Sequence, residues 1–188
     1  MIKKPEGMGK YVAIAGFRNV KVKNVKNFFA SLRKEIGETE IQFFDAKLIA
    51  SREHLYFAAL NALKAFQNRL NISKSLAVET LLYASAQRQI TKAVDLLGIK
   101  PSSTEVAVLV IGKTELEAKR TLEIVSKQIL GERDDRVLEL SNEKMEGIEK
   151  LFDISDIEFK AKLTKKGMEK EALIDLVIEH MALLVTQR

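Results

Sequence analysis

The hydropathy pattern of this 188-residue chain predicts an α/β (α+β) protein, with four short strands distributed among seven or eight helices. Three observations carry that reading. Apolar runs at 11–17 and 106–112 are short, rich in β-branched side chains and closed by glycine, as buried strands are. Between and after them, apolar residues recur at spacings of three and four, the signature of one helix face. The length suits one domain over residues 1–188 and is enough to bury roughly two-thirds of the unfolded surface without disulfide staples.

In chain order, the run at 11–17 (YVAIAGF) reads as a strand. Residues 22–36 follow as a helix on Val22, Val25, Phe28, Phe29, Leu32 and Ile36, stopped by Gly37. Residues 40–44 read as a second strand. No proline or glycine interrupts 46–70, where Leu55, Ala59, Ala62, Leu63 and Phe66 form the stripe of a long helix. Ser75 caps a further helix through Ala84, and residues 91–97 form a shorter one before Gly98 and the turn at Pro101. The run at 106–112 is apolar throughout, so it belongs at the centre of a sheet covered on both faces. A helix spans 115–130, residues 137–140 are expected as a fourth strand, and Ser141 caps a helix to about Leu151. Ser155 and Glu158 have capping-box spacing.

The final helix, about 168–185, carries two apolar rows. Leu173, Val177 and Leu184 make one; Ile174, Ile178, Met181 and Val185 make the other. A surface helix needs a single stripe to meet its core, so the second row calls for cover from the chain itself or from a partner.

Composition narrows the chemistry. The chain has no cysteine, which removes disulfides, thiolate nucleophiles and cysteine-held metals and fits a reducing, cytoplasmic setting. Neither a signal-peptide core nor a membrane-length apolar run of ~20 residues is present in the sequence. Its two histidines, His54 and His180, fall on different predicted helices and suggest neither a metal pair nor a triad. Glycine-rich phosphate loops are missing, and Asp134 and Asp135 are flanked by arginines that neutralise them. The sequence therefore predicts no enzyme, no metal and no cofactor.

Charge is asymmetric. Residues 1–100 hold 17 basic against 8 acidic side chains and residues 101–188 hold 14 against 18, inside a total of +5. The basic half can attract phosphate, although a glutamate- and lysine-rich thermophile surface also has this composition. From Lys64 to Lys100 the cations Lys64, Arg69, Lys74, Arg88, Lys92 and Lys100 face only Glu79 and Asp95. Arg88 with Gln87 and Gln89, placed beside a helix start, could hold phosphate and read base edges of single-stranded RNA. Pairing of Arg88 with Glu79 inside the fold is the alternative.

The stretch 71–85 (NISKSLAVETLLYAS), running into Gln87-Arg88-Gln89-Ile90-Thr91-Lys92-Ala93 and Gly98-Ile99, resembles the signature of the KEOPS accessory-subunit family that includes the PRPK-binding protein (TPRKB), in its archaeal form. Phe44-Asp45-Ala46, Glu53-His54-Leu55, Phe152-Asp153-Ile154-Ser155 and the segment 179–184 are similar to other blocks of that family. The resemblance implies a compact fold with a small four-stranded mixed sheet surrounded by helices, and no activity of its own. It implies binding to the small atypical kinase/ATPase of KEOPS and to the 3′ CCA end of tRNA during synthesis of threonylcarbamoyladenosine. Carried over, Arg88, Gln89 and Ile90 would meet the RNA, with Lys74 and Lys92 as supporting cations. Leu173, Val177, Met181 and Leu184 would face the kinase. One departure is Ala86, where many relatives have glycine, which leaves the geometry of that turn open. A regulator that binds the kinase without touching RNA is the second reading.

Overall fold

The computed structural model of the protein describes residues 1–22 and 24–186. It begins with β1 (Ile2–Lys3), β2 (Tyr11–Arg18), α1 (Val25–Ile36) and β3 (Glu40–Asp45). After a 3-10 turn at Ala46–Leu48 come three helices in succession, α2 (Arg52–Gln67), α3 (Leu76–Ala84) and α4 (Ile90–Leu97). Then follow β4 (Val106–Gly112), α5 (Glu115–Gln128) and β5 (Glu132–Arg133). The chain closes with α6 (Asn142–Phe152), α7 (Asp156–Lys162) and α8 (Glu169–Leu183).

Local chemistry sets these boundaries. Asn24, Ser51, Ser75 and Thr114 each accept a hydrogen bond from a first-turn amide, at the starts of α1, α2, α3 and α5. At α7 the expected capping box is complete, with Ser155 and Glu158 bonded reciprocally. The long helix expected over 46–70 begins only at Arg52, because Asp45 caps a separate 3-10 turn and Ser51 opens the helix proper.

The sheet runs β1-β2-β4-β3, with β5 also on β2, and every described pairing is antiparallel. A mixed sheet is expected, and the difference has a simple origin. β2 and β3 point the same way, joined through α1, but β4 lies between them and runs opposite to both, so no two parallel strands touch. Residues 137–140 are not a strand. Asp134 accepts from the Arg136 amide and starts a 3-10 turn at Asp135–Leu138, which drives Val137 and Leu138 into the core.

Both sheet faces are covered, and side-chain alternation divides them. Ala13, Ala15, Phe17, Phe43, Val108 and Val110 meet α1 and α5 on one side. Val12, Ile14, Phe44, Ala107, Leu109 and Ile111 meet the larger layer containing α2, α3, α6 and α8 on the other. This explains why β4 is buried at all seven positions. Among the described residues, no helix is long and apolar enough to cross a membrane.

Candidate nucleic-acid and partner surfaces

α3 is the pivot of the larger layer, buried at eight of its nine positions, only Val78 being less than buried. Its N-terminal end is held by carboxylates. Glu40 Oε2 accepts from the Ala77 amide at 3.1 Å and from Ser75 Oγ at 3.3 Å. Glu79 is 1% exposed and accepts from the Ile72 and Ser73 amides at 3.0 and 2.7 Å, which fixes the loop before the helix. Glu79 is thus occupied by backbone, and the alternative partner for Arg88 disappears.

At the other end, the last four carbonyls of α3 are all satisfied. Ser85 Oγ donates to Leu81 and Leu82. The Gln87 amide bonds Leu82 and the Ala86 amide bonds Tyr83, both at 3.0 Å, a Schellman closure with Ala86 at φ 49°. Glycine is the usual occupant of such a left-handed position, so Ala86 keeps the turn geometry at a conformational cost. His54 completes the set. Its Nδ1 accepts from the Ala50 amide at 3.2 Å, which puts the ring proton on Nε2, facing the Ala84 carbonyl at 2.8 Å. Burial pushes the His54 pKa down to about 4, and Phe152 packs edge-on against the ring. As expected, His54 is a structural histidine.

Beyond this fixed frame the chain turns outward. Arg88, Gln89, Ile90, Thr91 and Lys92 are all exposed, and Arg88 and Lys92 make no ion pair among the described residues. Gln89 is the N-cap of α4 but its side chain makes no capping bond, and the first turn of α4 carries no acid. Unpaired amides and two cations therefore share one helix start, which favours an anion. Ile90 and Val94, four residues apart, add exposed apolar surface at 43 and 46%. Val94 went unread in the sequence because a short helix with two apolar rows looks like core.

The structure thus groups Arg88, Gln89, Ile90 and Lys92. Lys74 is exposed but precedes the opposite end of α3, and nine helical residues separate it from the turn, roughly 13 Å.

The row expected to face a kinase lies elsewhere than its assignment requires. Leu173, Val177 and Met181 are 0% exposed and Leu184 is 1%, inside the core formed with α2, α3 and α6. The chain's own helices supply their cover, so these four side chains are not surface. What α8 leaves outside is Leu183 at 52%. His180 lies 3.5 Å from Glu158, so the start of α7 sits beside the end of α8, and Ile157, 80% exposed, lies at the same end of the pair. Neither residue belongs to the two apolar rows of the last helix, which is why the sequence did not single them out.

Ionisable groups also gather in an open groove of about 410 Å³ beside Arg18, Glu105, Asp134, Arg136 and Lys144. The hydrogen bond from Arg136 holds the Asp134 carboxyl down at about 2, and burial lowers the Lys144 amine. Both groups have structural partners. Asp134 pairs with Arg136 at 2.8 Å and Arg18 at 3.6 Å, and Lys144 donates to the Val137 carbonyl. The arginines neutralise Asp134 and Asp135 as expected, and the cluster also ties the 132–138 segment to β2, with Asp135 accepting from the Gly16 amide at 2.9 Å.

Residues 17–184 match the family described as "Kinase binding protein CGI-121". Over 137 residues the chain is 30% identical to the "Regulatory protein Cgi121" of Methanocaldococcus jannaschii, covering 73% of this chain and 84% of that protein. With nearly its whole length matched, the chain belongs to the CGI-121 kinase binding protein family.

Proposed function

We propose that the chain is a non-catalytic accessory subunit of the KEOPS complex, which makes N6-threonylcarbamoyladenosine in tRNA, and that it binds the 3′ CCA end of the tRNA while docking on the small kinase/ATPase subunit. One observation carries the RNA half: the uncapped start of α4, with Arg88 and Lys92 exposed and without an ion pair among the described residues, next to a turn that His54 holds in place. Phosphate would sit on the amides and cations, and Gln89 and Ile90 would meet the terminal bases. Lys74 would act at longer range.

Family membership supports the kinase half. The apolar surface at Ile157 and Leu183 is the contact this reading assigns to the kinase, in place of the buried row. Regulation of the kinase without RNA contact needs only that surface, and it is the second reading.

The test is binding of CCA-bearing tRNA. Arg88→Glu is expected to weaken it about tenfold or more at low salt, and wild-type affinity should fall steeply as salt rises. Removing the CCA end should match the effect of the mutation. Equal affinity of wild type and Arg88→Glu would leave only the second reading. Leu183→Asp should reduce capture of the kinase subunit while leaving tRNA affinity unchanged.

A further inference from the structure

A groove of about 200 Å³ lies between the C-terminal half of α2, Tyr83 of α3 and the end of α8. One wall is a single face of α2. Asn61, Lys64, Ala65 and Asn68 line it at spacings of three, four and seven, the face adjoining the stripe that builds the core. The remaining lining is largely apolar: Leu70 and Val185 are 44 and 40% exposed, Ala182 is exposed, and the buried Tyr83 contributes to the floor. Leu70 is held there by the closure of α2, its amide bonding the Ala65 carbonyl at 2.8 Å after Arg69 at φ 58°.

Three features define what fits. None of the lining residues carries a carboxylate. Lys64 and Arg69 are exposed and make no ion pair among the described residues. Tyr83 ties the groove to the α3–α4 turn, because its carbonyl accepts the Ala86 amide at 3.0 Å, two residues before Arg88. At about 200 Å³ it is smaller than a drug-sized ligand pocket. Apolar walls over the buried Tyr83, two amides at the edges and cations around the rim suit an unpaired base, which needs apolar contact for its faces and hydrogen bonds for its edges.

We propose that this groove receives one unpaired base of the RNA strand whose phosphates are held at Arg88, a second subsite that extends the α3–α4 turn along the molecule. The proposal rests on the RNA-binding reading above. A protein side chain from the kinase is the competing occupant.

The experiment uses the full chain and a short single-stranded RNA ending in CCA, with one nucleotide at a time made abasic. Ala182→Trp fills the groove from an exposed position, and Asn68→Ala removes an edge amide without filling it. In the wild type, one abasic position beyond those governed by Arg88 should cost about tenfold in affinity. In Ala182→Trp the intact RNA should bind about tenfold more weakly and that abasic position should cost nothing further. Asn68→Ala should give a smaller loss in the same direction. If Arg88→Glu weakens binding while Ala182→Trp and Asn68→Ala bind like wild type, the base subsite is overturned and the turn remains. Loss of kinase capture by Ala182→Trp with unchanged RNA affinity assigns the groove to the kinase and overturns the proposal. No RNA binding by the wild type overturns both readings.

Discussion

The two ends of α3 carry similar polar side chains and use them in opposite ways. At the N-terminal end, Glu40 and Glu79 turn their carboxylates onto backbone amides, and Glu79 is buried while doing so. Lys74 stays exposed beside that locked loop, without an ion pair among the described residues. At the C-terminal end, Ser85 and His54 satisfy the helix carbonyls from inside, so the segment beyond them needs nothing further from its neighbours. Arg88, Gln89 and Lys92 stay available to a ligand. A charged residue near a helix end signals binding only when its own fold has not already consumed it.

Four measurements break or sharpen that comparison. Glu79→Ala should be the most damaging, because it leaves the Ile72 and Ser73 amides without their buried acceptor. A loss of about 3 kcal/mol in denaturant unfolding is expected, with RNA affinity unchanged wherever the protein stays folded. Coupled losses of stability and affinity would show that the two ends are not independent.

The opposite end has its own signature in pH. His54 is neutral in the fold down to about pH 4, whereas in the unfolded chain it takes up a proton near the ordinary histidine value of 6.5. Between those values the unfolded state binds the extra proton, so stability falls as pH drops from 6.5 toward 4. Between pH 7 and 4.5 the loss should be about 2.5 kcal/mol. His54→Gln, which cannot protonate, should flatten that dependence.

Lys74→Glu and Arg88→Glu compare the ends directly. RNA affinity should fall about tenfold or more for Arg88→Glu, equivalent to about 1.4 kcal/mol, and less than about threefold for Lys74→Glu. Equal losses would mean that the RNA spans both ends of α3. The smallest effect is expected at the turn itself. Ala86→Gly relieves the left-handed strain but loosens the unfolded chain, leaving a net gain of about 0.5 kcal/mol in thermal or chemical unfolding.

Much of the candidate site was legible. Ser75 as a cap, the break after Ala84, the restart near Ile90 and the polar, basic composition of 87–92 follow from local signals that act within a few residues. His54 was readable only as a histidine outside any metal pair or triad. Its bond to Ala84, thirty residues away, depends on how α2 and α3 lie against one another. The groove face of α2 was overlooked for a related reason, since Asn61, Lys64 and Asn68 look like any solvated helix face until Tyr83 and the end of α8 are brought alongside.

The sequence by itself determined the α+β class, most helix boundaries, the central strand at 106–112 and the cluster of polar and basic residues at the α3–α4 turn, because periodicity, caps and composition are local. Only the tertiary structure decided the strand order, the 3-10 turn at Asp135–Leu138 and the burial of Leu173, Val177, Met181 and Leu184. An apolar residue gains the same from leaving water whether its cover is its own chain or a partner, so hydropathy cannot say which of the two provides it.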